Sequence, residues 1–398
     1  MKPGVRRLFI EAAVAVAVLG ILLWIFIPKF LAVQSINTPY NFPDPEFRKA
    51  VESFMKVEPG GRFTAKQAAE KTGEFSCSRQ RRPPMLNATR MRPSRQQRGI
   101  GGVPSDPDLG RMQNARGIEF LPNITRFDCG GFVSGRNRGS SEGTGLTELD
   151  LSRNVGLEDL NCMGNSLKRL DVSGCKNLKK LNCMENCLES LDVSSCENLE
   201  ELNCMGNSLE TLDVSACKNL EVLTCYRNRL QALDVSKNPR LRKIGCSRNQ
   251  IARLDLSANP ALEEIGCSDN GPQELILGSH PALTVLYCER NQMESIDLSG
   301  CPALRQAFLQ WNRFHDLPDF TKNPALDTLN LRWNRLDSGD AEAIRELKLR
   351  FSAPRFSEHN EENGEACVES GFVYSPQEKG DLVLPETGAH TEQDRQTP

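Results

Sequence analysis

Apolar positions recur in one fixed order through the middle of the chain. The pattern is L-x-x-L-D-[VL]-S-x-[CN]-x-x-L-x-x-L-x-C-x-x-N-x, opening at Leu146, Leu167, Leu188, Leu209, Leu230, Ile251, Pro272, Met293 and Phe314. Successive openings lie 21 residues apart, and the last unit carries 22 residues. A fixed period of this size marks a solenoid, in which each unit buries its apolar face only by stacking on its neighbours. Two halves echo each other within a unit: Leu178-x-x-Leu181-x-Cys183-x-x-Asn186, then Leu188-x-x-Leu191-x-Val193-x-x-Cys196. Side chains alternate along a strand, so Leu181 and Cys183 face the core together while Asn182 between them faces out. Short parallel strands joined by turns follow from this spacing.

The flanks change period. Asp44 reads as an N-cap with Pro45 at the first helical position, and Phe47, Ala50, Val51 and Phe54 follow at helical spacing. Thr64 and Gln67 form a capping box for a second helix expected to end at Gly73. A solenoid needs such a plug, because its first repeat would otherwise expose core. At the far end Asp340 caps a short helix with Ile344, Leu347 and Phe351 on one face. The N-terminus is different again. Residues 8–27 are apolar apart from Glu11, and twenty helical residues span about 30 Å, the thickness of a bilayer core. Lys2, Arg6 and Arg7 precede the segment and Lys29 follows it, which places the short N-terminus in the cytoplasm and the rest outside. A cleavable signal peptide is the rival, but its apolar region should be shorter and end in a small-residue site.

The expected organisation is therefore a cytoplasmic basic tail (1–7), a transmembrane signal-anchor helix (8–28) and a linker (29–40), followed by a helical cap (41–78). An Arg-rich insertion (79–117), a degenerate first repeat with a Gly/Ser/Arg loop (118–145), nine repeats (146–335), a cap helix (336–352) and a disordered polar tail (353–398) complete it. Cys129 belongs to that degenerate repeat, and it lies 33 residues before Cys162, so about 12 residues near Ser134–Gly145 bulge out.

Composition narrows the function. The net charge of −3 on 398 residues points to neither nucleic acid nor a strongly charged substrate. Of fifteen cysteines, eleven are set by the repeat: Cys162, Cys183, Cys204, Cys225, Cys246, Cys267 and Cys288 in one column, and Cys175, Cys196, Cys217 and Cys301 in another. A straight column on parallel strands gives a line of thiols rather than a tetrahedral set, so these read as compact core filler with no metal or cofactor expected. Four scattered histidines, with no nucleophile–base pairing or phosphate loop, leave no enzyme to propose.

Three resemblances follow from these residues. The nested pattern resembles the 21-residue bacterial leucine-rich repeats called IRREKO, which implies a curved leucine-rich-repeat solenoid with helical caps. The run Asn41-Phe-Pro-Asp-Pro-Glu-Phe-Arg-Lys-Ala-Val51 resembles the N-terminal caps of internalin-like surface proteins. The first helix resembles that of type IV pilins, matching at Glu11, Gly20 and Pro28, although Arg6-Arg7 stands where that family's peptidase site has Gly-Phe. Leu384-Pro-Glu-Thr-Gly388 matches a sortase signal, but only ten polar residues follow it where that signal requires an apolar stretch and a basic tail.

Function rests on the variable columns. Early repeats are bland there; later ones carry Tyr226, Arg227, Arg248, Tyr287, Arg290, Phe308, Trp311, Arg313, Trp333 and Arg335. Trp, Tyr and Arg dominate binding hot spots, so these residues form the expected partner surface. Asn165, Asn186, Asn207, Asn228, Asn249, Asn270, Asn291, Asn312 and Asn334 form a ladder whose amides can satisfy buried turn backbone. The aspartates from Asp150 to Asp255, with Asp297, are expected to cap the following Ser and its backbone amide rather than bind calcium. Cys187 sits in a polar column as an exposed thiol, and the seven arginines of residues 79–98 form a loop able to contact polyanions. The reading is a bacterial inner-membrane protein, single-pass, whose outward repeats bind a protein or glycan; the alternative is a pilin-like subunit whose repeats decorate a filament.

Overall fold

The computed structural model describes residues 41–77, 114–131, 145–271, 274–336 and Leu347. The expected membrane span 8–28, the arginine loop 79–98, the tail 353–398 and most of the C-terminal helix lie outside these residues. Among the described residues no helix is long and apolar enough to cross a membrane.

The cap begins as its sequence dictates. Asp44 Oδ1 accepts hydrogen bonds from the Glu46 and Phe47 amides, both at 2.9 Å, and opens α1 (Pro45–Met55). Lys56 ends it in the left-handed conformation at φ 57°. Phe47, Val51 and Met55 are buried on one face. The capping box forms: the Gln67 amide donates to Thr64 Oγ1 and the Thr64 amide to Gln67 Oε1, at 3.2 and 2.8 Å. Its helix, α2 (Ala65–Ala69), stops short of the expected Gly73, which instead opens a strand, β1 (Gly73–Ser76). The physical reason lies in Phe75. Its ring is buried and stacks on Phe127 at 5.3 Å, which an extended backbone permits and a continued helix would not.

That strand makes the cap the first rung of the solenoid. β1 pairs in parallel with β2 (Ile124–Asp128), and β2 with β4 (Asp159–Asn161). One strand per repeat then follows: β6 (Lys180–Asn182), β7 (Glu201–Asn203), β8 (Val222–Thr224), β9 (Lys243–Gly245), β11 (Glu264–Gly266), β13 (Val285–Tyr287), β14 (Gln306–Phe308) and β15 (Thr328–Asn330). Together they form one eleven-stranded parallel sheet. The register places Leu160, Leu181, Leu202, Leu223, Ile244, Ile265, Leu286, Ala307 and Leu329 in one row. The first half of the repeat forms strands only in places, pairing β3 (Glu148–Asp150) with β5 (Arg169–Asp171) and β10 (Arg253–Asp255) with β12 (Glu274–Ile276). The chain is a parallel-strand solenoid with one sheet strand per repeat.

The core is a set of stacked columns. All eleven repeat cysteines are buried free thiols. Burial pushes the thiols of Cys162, Cys204 and Cys246 up to about 12, so they pack as small apolar groups. Cys77 and Cys129 begin the same column. The amides of Cys77, Cys129 and Cys162 each donate at 2.8 Å to the next strand, to Asp128, Asn161 and Asn182 carbonyls in turn. At the C-terminal end Leu347 is helical and buried with this core.

The asparagine ladder is a continuous hydrogen-bond scaffold. Asn228 Nδ2 donates to the Cys225 carbonyl of its own turn at 2.9 Å and to Cys204 of the preceding one at 3.0 Å. Its Oδ1 accepts the Leu209 amide at 3.0 Å. Asn165, Asn186, Asn207, Asn249, Asn270, Asn312 and Asn334 make the same three-way link. Position 272 is proline and has no N–H to offer. There Asn291 Oδ1 accepts the Asn270 and Gly271 amides instead, both at 3.0 Å.

The aspartates take their expected role. Asp171, Asp192, Asp213, Asp234 and Asp297 each accept the amide of the serine two residues on, at 2.8–2.9 Å. Those bonds hold Asp192 and Asp234 below the usual carboxylate range. Asp319 joins the column through the Thr321 amide, displaced by the extra residue of the last unit. Among the described residues no group of three metal-ligating side chains comes together.

Candidate binding surface

From β4 on, the turn leaving each sheet strand holds one residue in the left-handed region. Gly164 and Gly206 occupy it at φ 65° and 67°, as steric reasoning requires. From there on glycine is abandoned. Arg227, Arg248, Asp269, Arg290, Trp311 and Trp333 hold the position in six successive repeats, with φ between 54° and 59°. Glu185 is an earlier member at 51°. Each such non-glycine residue costs roughly 1–2 kcal/mol, most acutely for bulky side chains. The chain gives up that stability along one line of its surface.

What the strained positions hold is a continuous run of contacts. The Arg248 guanidinium lies over the Tyr226 ring, 5.6 Å from its centroid, and its Nε approaches Asp269 at 3.4 Å. Asp269 also faces Arg290 at 4.0 Å. Arg290 in turn sits over Trp311 at 5.7 Å, and Trp311 stacks on Trp333 with centroids 4.3 Å apart and planes at 17°. Arg332 lies over Trp333 at 5.6 Å. At the other end Arg227 pairs with Glu185 at 3.4 Å. The result is a ridge crossing six repeats, alternating guanidinium, carboxylate and aromatic groups.

Every expected partner residue lies on or beside this ridge. Tyr287 and Phe308 occupy the sheet column three residues before Arg290 and Trp311, and they stack at 4.9 Å and 7°. Trp311 is 43% exposed, one of two large apolar side chains so exposed among the described residues. Trp333, Arg227, Tyr226, Tyr287, Phe308 and Arg313 are half-buried, whereas Arg248, Arg290 and Arg335 are exposed. Arg313 and Arg335, just after the asparagine ladder, form no ion pair among the described residues. Cys187 is exposed as expected but stands apart, next to the early repeats.

Sequence reasoning missed three features here. Asp269 was passed over, although it falls in the same column between two arginines. The strain was not foreseen, because the turn conformation is legible only where glycine marks it. The early methionines are not bland either: Met163, Met184 and Met205 form a buried cluster against Tyr226, one residue before the ridge column. Later repeats fill that column with Glu289, Gln310 and Arg332. Gln310 is buried with its Oε1 lacking a hydrogen-bond donor.

No family model matches the sequence, and no curated protein is similar to it. Among solved structures it is similar to a leucine-rich-repeat protein of Leptospira interrogans, at 22% identity over 61% of this chain and 57% of that one, with a TM-score of 0.46. It is also similar to the functional domain of InlJ from Listeria monocytogenes, described as including a cysteine ladder (20% identity, 82% and 83% covered, TM-score 0.34). A third is the internalin InlF from the same organism (18% identity, 77% and 94% covered, TM-score 0.39). These neighbours are bacterial leucine-rich-repeat proteins.

Proposed function

We propose that this chain is a recognition protein, anchored in the bacterial inner membrane through residues 8–28 with its repeats outside, and that it binds a protein or glycan partner through the ridge. The observation that carries the reading is the run of six non-glycine residues in left-handed turns. Glycine serves the same turn in earlier repeats, so the fold alone does not demand these side chains. Backbone strain retained along one contiguous surface is a mark of function. The side chains retained are those that anchor interfaces, Trp and Arg, with a stacked pair at the end. The reading assigns the chain no catalysis.

The test is a binding screen of the full chain against glycans and surface extracts, beside a Trp311→Ala/Trp333→Ala variant. Capture by the wild type and loss in a folded variant is the expected result. Capture indifferent to both tryptophans removes the ridge from consideration.

A further inference from the structure

We infer that the occupant of the ridge is an acidic protein segment, whose carboxylates meet Arg290, Arg313 and Arg335 beside the Trp311–Trp333 stack. This rests on the reading of the ridge as a binding surface and deepens it by naming the partner's chemistry.

Charge carries the first half of the argument. From position 247 on, the two turn columns of the ridge and the column of Arg313 hold Arg248, Arg290, Arg313, Arg332 and Arg335, against Asp269 and Glu289. Among the described residues Asp269 is the one carboxylate within ion-pair distance of Arg248 or Arg290, at 3.4 and 4.0 Å, so it is divided between two guanidiniums. Arg313 and Arg335 form no ion pair among the described residues. The chain as a whole is slightly acidic, at −3, so this end of the ridge is a local excess of positive charge rather than a share of a general one. A surface of this sign selects carboxylates, and guanidinium is suited to hold them in bidentate fashion.

The aromatic geometry carries the second half. Sugar rings are bound by laying them on an open aromatic face. Trp311 has none to offer: Trp333, from the following repeat, covers one side, and the Arg290 guanidinium, from the preceding repeat, sits over the ring. Since the three residues share one column, Arg290 and Trp333 lie on opposite sides of the Trp311 ring. The apolar side chains of a protein segment can pack against the tryptophan pair without needing an open ring face. An acidic protein segment therefore fits the stack better than an acidic glycan.

The experiment probes the full chain with synthetic peptides rich in Asp and Glu and with matched peptides carrying Asn and Gln in their place. Neutral and uronic-acid oligosaccharides are tested alongside. Expected is a preference for the Asp/Glu peptides that weakens with salt and disappears in the Trp311→Ala/Trp333→Ala variant. The combined Arg290→Gln/Arg313→Gln/Arg335→Gln variant should bind them about tenfold more weakly or worse. Tryptophan-dependent binding of the amide peptides equally well, or of oligosaccharides in preference to peptides, overturns the inference and leaves the ridge as a binding surface. Binding of none of these probes, or binding indifferent to the tryptophans, overturns both.

Discussion

Replacing Arg248 by glycine and by alanine separates backbone strain from side-chain contacts. Both substitutions remove the contacts with Tyr226 and Asp269, so those losses cancel when the two variants are compared. What differs is the backbone at φ 54°. Alanine retains a left-handed penalty of roughly 1–2 kcal/mol. Glycine escapes it but loses about 0.5–1 kcal/mol more chain entropy on folding. Glycine should therefore be the more stable variant by about 0.5–1 kcal/mol, or a few degrees in Tm for a domain of this size. Arg169, in β5 with an exposed side chain, supplies the control. In an ordinary strand the order reverses, and alanine should lead by about 0.5–1 kcal/mol. Thermal and denaturant unfolding of the four variants reads both differences. Alanine equal to or better than glycine at position 248 would refute the claim that the ridge is strained.

Three other outcomes follow from the same columns. Asn228→Ala removes three hydrogen bonds at a buried position and leaves their backbone partners unmet, so denaturant unfolding should show a loss of about 2–4 kcal/mol. Gln310→Met places in the later repeats the residue that the same column carries at Met163, Met184 and Met205, and it should stabilise by about 1 kcal/mol because an unmet buried acceptor disappears. His280 is fully buried, and burial lowers its pKa against the opposing effect of the nearby Leu277 and Asn259 carbonyls. The unfolded chain then binds the proton more readily, so stability should fall as pH drops below the unfolded value of about 6.5. His280→Asn, the residue of the preceding turn (Asn259), should remove that part of the pH dependence; an unchanged profile would rule it out.

The repeat was legible because its period is written in residues that have one physical solution. Leu181 and Cys183 can alternate only on a strand, and Asn186 recurs wherever a turn must satisfy carbonyls from two repeats. Where two solutions compete the reading faltered. Residues after Ala69 have helix-forming neighbours, yet burial of Phe75 against Phe127 favours a strand, and that contact is between segments far apart in sequence. Cys77 falls outside the repeat spacing for the same reason, since its membership in the cysteine column depends on β1 joining the sheet. The candidate surface was visible as a change in residue type from Met-Gly to Tyr-Arg, Gln-Trp and Arg-Trp. Its stacking, its sharing of Asp269 and its left-handed backbone come from the register of adjacent turns, which no single repeat specifies.

The most direct test of the ridge as a binding surface is to return it to the glycines of the early repeats. The Arg248→Gly/Arg290→Gly/Trp311→Gly/Trp333→Gly variant keeps the left-handed turns and removes their side chains, so unfolding should show an intact solenoid. The account predicts that a partner captured by the wild type is not captured by this folded variant. Capture undiminished by the four glycines would contradict it.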